Sequence, residues 1–189
     1  MSEMEHLDSN PANKKVALLI AILALILAFA ETLAKGAQTT ALSSNIEAAN
    51  LWSFFQAKTI RMTAVRTAVE AAEVELLQVS SDQAKEALQK RVADWKQTVA
   101  RYDSEPETQE GRKELSARAK VAEAKRDHTL AAYHHYEVAS AVVQIAIVLA
   151  SASIITSVAV LAWLGGGLGI IGVVFSLIGF FWPTAVHLF

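Results

Sequence analysis

The sequence predicts an all-α membrane protein: three transmembrane helices, with a long antiparallel coiled-coil-like helical hairpin inserted between the first and the second. Three observations predict it. Apolar stretches at residues 16–34, 138–163 and 168–182 each cross, or nearly cross, the roughly 30 Å hydrocarbon layer at ~1.5 Å per helical residue. The intervening residues 35–137 hold 15 Lys/Arg against 15 Asp/Glu, a composition suited to water. Between Ala37 and Glu105 there is neither Gly nor Pro, which is rare outside extended helix.

Residues 1–15, with Pro11 and mixed polar character, read as a flexible N-terminal tail. Lys14 and Lys15 before the apolar run, with Ala28-Phe29-Ala30 as a small-x-small cleavage site, also fit a signal peptide. The run lies at the upper length limit for one, so residues 16–34 are expected to be a retained transmembrane helix 1.

In the hairpin region, residues 35–137, Met62, Val65, Val69, Ala72, Leu76 and Val79 recur at steps of three and four, as do Leu88, Val92, Trp95, Val99 and Tyr102. Each set is an a/d seam. The seams are out of phase, and Ser80-Ser81-Asp82-Gln83 between them offers a capping box with Ser80 as the cap. A reversal is expected there. A second break is expected at Asp103–Glu107, where Ser104 and Glu107 repeat the capping-box spacing and Pro106 suits a first helical turn. From Glu107 the chain should run helically into span two, Glu114 supporting Arg118 one turn on. An outgoing arm from Lys35 to Val79 spans roughly 66 Å, and the return is a little longer, so a tip near Ser81 gives matching arms.

Residues 138–163 form transmembrane helix 2, and residues 164–189 a tight glycine turn and transmembrane helix 3. The turn is placed at Trp163-Leu164-Gly165-Gly166-Gly167. Trp163 and Trp182 then lie about 28 Å apart, as anchors at opposite membrane surfaces should. Gly165, Gly169, Gly172, Ser176 and Gly179 form a strip without side-chain bulk, and Ala17, Ala21, Ala24 and Ala28 a second one. Such strips let helix backbones approach closely in lipid. Simple abundance of Gly and Ala in membrane helices is the bland alternative.

Glu31 extends the alanine strip. An ionisable group within a span is by default a candidate proton or cation site, but near a helix end, with Lys35 one turn on, a snorkelling ion pair is the simpler expectation. Gln144, inside span two, is expected to find an interhelical hydrogen bond, with a pore lining as the rival. His128, His134 and His135 are not spaced at i,i+3 or i,i+4 from one another, so a polar-aromatic belt with Tyr133 and Tyr136 is expected rather than a metal site. There is no cysteine, which excludes disulfides and thiolate chemistry. No Ser/His/Asp grouping or phosphate loop stands out, so neither enzymatic activity nor a cofactor is expected. The neutral middle gives no electrostatic reason to expect nucleic acid.

Trp52-Ser53-Phe54-Phe55-Gln56-Ala57-Lys58-Thr59-Ile60-Arg61 resembles the W-x-aromatic-aromatic-Q-A-K-x-I-basic signature of bacterial membrane proteins in the domain-of-unknown-function 4337 family. Gln144-Ile145-Ala146-Ile147-Val148-Leu149-Ala150-Ser151 is similar to that family's second-span motif, and the order of spans and insert matches over nearly the whole chain. The resemblance implies an integral, helical membrane protein, and the bacterial inner membrane is its expected location. It implies no activity, so no functional residue is carried over.

Trp52, Phe54, Lys58 and Arg61 are candidate interface residues, because two helices cannot cover every face of so bulky a strip. Packing inside one hairpin is the alternative. Two function classes follow. One is a structural or interaction protein that self-assembles in the bilayer as a homo-oligomer and docks another membrane complex. The other is a homo-oligomeric channel or accessory transporter subunit. For orientation, Lys35, Lys125 and Arg126 favour the hairpin side as cytoplasmic by raw count. But long loops translocate largely regardless of charge, so the Lys14-Lys15 pair beside span one is expected to keep the N-terminus inside and the hairpin in the periplasm.

Overall fold

The computed structural model of the protein describes residues 11–186, and among them every regular element is a helix. We label these α1 (Pro11–Leu76), α2 (Asp82–Asp103), α3 (Arg112–Thr156) and α4 (Ala159–Phe181). Parts of α1 and α3, and all of α4, are long and apolar enough to cross a membrane. The chain divides into two compact units: Ser43–Ala124 is one, and the chain up to Leu42 together with Lys125 onward is the other.

α1 begins at Pro11, a residue whose fixed φ and missing N–H suit a first turn. Of the predicted tail, residues 11–15 are therefore helical, and residues 1–10 lie outside the described residues. Thr32, Thr39, Thr40, Thr59, Thr63 and Thr67 each donate to the carbonyl four residues back. Their hydroxyls are thereby satisfied within the helix itself.

In the Ser43–Ala124 unit, α1 ends in a tightened turn, with Leu77 N–H bonded to Val74 O and Gln78 N–H to Glu75 O. Ser81, not Ser80, caps α2: its hydroxyl accepts from Ala84 N–H at a long 3.5 Å. The two sequence seams meet in one cluster of Val69, Ala72 and Val92, with Val65, Leu76, Leu88 and Trp95 packed around it. Farther back along α1, Ala48 and Leu51 pack on Leu115, Ala119 and Ala122 of α3, flanked by Trp52 and Phe55.

The second break is longer than predicted. Helix resumes at Arg112, not Glu107, and residues 104–111 form a non-helical connection in which Gln109 takes φ 58°. Ser104 ends α2 instead of starting α3: its N–H bonds Ala100 O, and its hydroxyl is spent on Glu114. Glu114 thus turns away from Arg118, which donates to Gln109 O.

In the other unit, α3 and α4 are separated at Ser157 and Val158, not at residues 163–167. Ser157 adopts φ 56°, and Gly165, Gly166 and Gly167 are all helical. Glycine costs about 1 kcal/mol in a helix interior, a cost that close packing offsets at Gly165, Gly169, Gly172 and Gly179 but not at Gly166 or Gly167, where nothing lies within 4 Å. A Cβ on Gly165 would lie 2.7 Å from Ala146 O. On Gly169 it would collide with Leu23, and on Gly172 with Val143. On Gly179 it would lie 2.9 Å from His135 Cβ. Moving the break by two turns slides the register, so that the sections of α3 and α4 that pair are residues 132–150 and 165–179. Leu23 of α1 closes this core with Val143, Ala146 and Ala150.

Candidate functional site

The Trp52–Arg61 stretch is a receptor for the connection between α2 and α3. Lys58, 7% exposed, lies with Nζ 3.9 Å from Glu105 Oε2 and 3.8 Å from Glu110 Oε2. The same ammonium stands 5.5 Å from the Phe54 ring centre and 5.3 Å from that of Tyr102. Those carboxylate distances are too long for hydrogen bonds, so charge and the two ring faces together hold the buried cation.

Arg112 repeats the arrangement at the head of α3. Its guanidinium stacks 5.0 Å from the Phe55 ring centre, while Nε donates to the Thr59 hydroxyl at 2.9 Å and Nη1 approaches Asp103 at 3.5 Å. Trp52 Nε1 donates to Glu123 at 2.8 Å, and its ring meets Phe55 edge-on. Glu114 closes the corner, accepting from Ser104 Oγ at 2.6 Å and Glu105 N–H at 3.1 Å. Gly111 is required there, because any Cβ would collide with the Glu114 carboxylate and the Glu105 amide.

This network depresses three carboxyl groups. A hydrogen bond from Lys113 lowers Asp103, helped by the charges of Lys113, Arg112 and Arg66 against partial burial. Bonds from Arg101 and Thr108 lower Glu105. The Ser104 and Glu105 bonds lower Glu114. Of the four candidate interface residues, Trp52 and Lys58 thus make these contacts within their own chain, while Phe54 and Arg61 are exposed. Sequence reading missed the partners Glu105, Glu110, Arg112 and Glu123. The signal was present: a dense run of charges around Pro106 and Gly111, facing a lysine embedded in an aromatic motif.

In the other unit the two small-residue strips have different fates. Gly165, Gly169, Gly172 and Gly179 are buried against α3 and α1, and Ser176 is half-buried with its hydroxyl on Gly172 O. Ala17, Ala21, Ala24 and Ala28 are all exposed. Glu31, next on that face, is exposed too, and it accepts from Gln144 Nε2 at 3.2 Å instead of pairing with Lys35. The pair forms because α1 and α3 run oppositely and each long side chain leans toward its own N-terminus. Gln144 follows Val143, which packs on Gly172 near the middle of α4.

His135 is buried beside Phe175, with Nε2 3.1 Å from Pro183 O. A carbonyl only accepts, so Nε2 carries the hydrogen and ties the end of α4 to α3. Among the described residues, no group of three His, Cys, Asp or Glu could hold a metal ion.

A family model described as a domain of unknown function (DUF4337) matches residues 12–182. No curated protein and no solved structure matches the chain.

Proposed function

The chain belongs to the DUF4337 family, a membership that carries no activity, and from that premise we propose that it is a multi-pass membrane protein whose work is assembly. Three helices cross the bacterial inner membrane, and the charged insert between the first and second forms an antiparallel, coiled-coil-like hairpin on the periplasmic side. The protein self-associates through α1 and presents the insert to another membrane complex.

The observation that carries this reading is the exposed alanine face of α1, ending at the Glu31–Gln144 pair. The glycine strip is consumed within the chain, whereas the alanine strip is left open for a second helix. An ionisable side chain within a span is costly unless it is shielded or paired. A neighbouring copy that shields Glu31 and Gln144 removes part of that cost while its backbone closes on the alanines. The corner around Lys58 supports the other half of the reading: it fixes the connection between α2 and α3 by charge and ring contacts and contains no nucleophile activated by a base.

Since the chain has no native cysteine, Ala24→Cys tests the assembly directly. Oxidation in native membranes should give a covalent dimer, and a purely monomeric product would refute self-association through this face. Conductance of the purified protein in planar bilayers would instead favour the channel reading, with the Glu31–Gln144 pair lining the path. Labelling of Ser81→Cys, but not Ser2→Cys, by an impermeant thiol reagent on intact cells is the result expected for a periplasmic insert.

A further inference from the structure

Where the start of α1 meets the α3–α4 turn, a cavity of about 460 Å³ is lined by Asn13, Lys15, Ser153, Ser157 and Trp163, with apolar walls that include Leu19. Its size falls in the range of roughly 300–1,000 Å³ typical of small-molecule sites. Polarity changes with depth. Asn13, Lys15 and Ser157 lie at the level of the turn, while Leu19 and Gly166 lie one to two helical turns deeper.

Three features of this cavity point to one kind of occupant. Lys15 makes no ion pair among the described residues, so a cation stands ready at the mouth. α4 begins there with Val158 as its cap and no side-chain hydrogen bond to it, leaving the Ala159 and Val160 N–H groups without intrahelical partners and the positive end of the helix facing the mouth. The third feature is Ser153, 6% exposed and lining the cavity. Its neighbours Ser140, Ser151 and Thr156 each donate to a carbonyl of their own helix. Ser153 makes no hydrogen bond among the described residues, so its hydroxyl is available to an occupant of the cavity it lines.

We propose that this cavity binds one anionic phospholipid. Its phosphate sits between Lys15 and the N-terminus of α4, an ester carbonyl one turn deeper accepts from the Ser153 hydroxyl, and one acyl chain runs along Leu19 and Gly166. Trp163, about one turn into α4 and 82% exposed, also lines the cavity, as an interfacial indole bordering lipid headgroups does. The proposal rests on the membrane placement given above and not on self-assembly.

Native mass spectrometry of the full-length, delipidated protein in detergent tests it, with dioleoylphosphatidylglycerol, dioleoylphosphatidylcholine and glycerol 3-phosphate as probes. One phosphatidylglycerol should be retained in preference to phosphatidylcholine. Lys15→Gln should weaken its retention about fivefold, and Ser153→Ala should weaken it without destabilising the lipid-free protein. Lys14→Gln, which removes the adjacent charge from outside the cavity lining, should leave retention unchanged. Equal loss in Lys14→Gln and Lys15→Gln would reduce the effect to surface charge and overturn the site. Competition by glycerol 3-phosphate at equal concentration would make it a soluble-phosphate site and overturn the lipid assignment. Resistance of the protein to carbonate extraction from membranes reports separately on membrane placement.

Discussion

Gly165→Ala and Gly167→Ala make the same chemical change two positions apart on α4, with opposite expected outcomes. Alanine is the better helix former by about 1 kcal/mol, so both variants start from the same gain. At Gly167 nothing lies within 4 Å of the added Cβ, and that gain survives. At Gly165 the Cβ would stand 2.7 Å from Ala146 O and 3.3 Å from Ala150 N. Both atoms are helix backbone and cannot rotate aside, so α3 and α4 must separate. Overpacking of this kind costs about 1–3 kcal/mol. Gly167→Ala should therefore be more stable than Gly165→Ala by about 1–3 kcal/mol once each is referred to the parent chain. Reversible unfolding in mixed micelles, followed by far-ultraviolet circular dichroism against the fraction of denaturing detergent, measures the difference. Equal stabilities would refute the packing of α4 on α3, and with it the placement of the turn at Ser157 and Val158.

Other perturbations test the second unit and the polar pair. Val92→Asp places a charge in the cluster of Val69 and Ala72 and should cost more than about 3 kcal/mol, read as loss of the thermal transition. Lys58→Met removes the cation between Glu105 and Glu110 but keeps the bulk against Phe54 and Tyr102, and it should speed hydrogen exchange at Glu105 and Gln109. Asp103, Glu105 and Glu114 all have folded pKa values below their ordinary ones. Their stabilising effect is therefore complete above about pH 5 and is lost as pH falls through the lowered folded values. Exchange at the α2–α3 connection should accelerate in that acid range before the cluster around Val92 responds. Gln144→Leu should leave α3 helical yet remove the infrared carboxylate shift that Gln144 imposes on Glu31.

Much of the helical framework was legible because its signals are periodic. The seams of Val65–Leu76 and Leu88–Trp95 follow heptad spacing, and they meet in the cluster that spacing implies. The apolar sections were visible as runs. Punctuation misled where a residue had two plausible roles. The three glycines at 165–167 read as a turn, yet all three are helical and Gly165 packs against α3, and the chain breaks at Ser157, which carries no strong turn signal. Ser104 and Glu107 matched a capping box, but the hydroxyl is claimed by Glu114 from a distance in sequence that no local pattern encodes. Partner choice was illegible for the same reason. Glu31 had Lys35 one turn away and took Gln144 on another helix, and nothing in the Trp52–Arg61 motif named Arg112 or Glu123.

Copy number in lipid nanodiscs, read by mass photometry, decides whether the alanine face of α1 joins two chains. Ala24 is exposed, so Ala24→Phe leaves the internal packing of one chain intact and obstructs only a neighbour. The parent chain should give more than one copy per disc, and Ala24→Phe a single copy with unchanged helicity. A single copy for the parent chain, or the same multimer for both, would contradict self-association through that face.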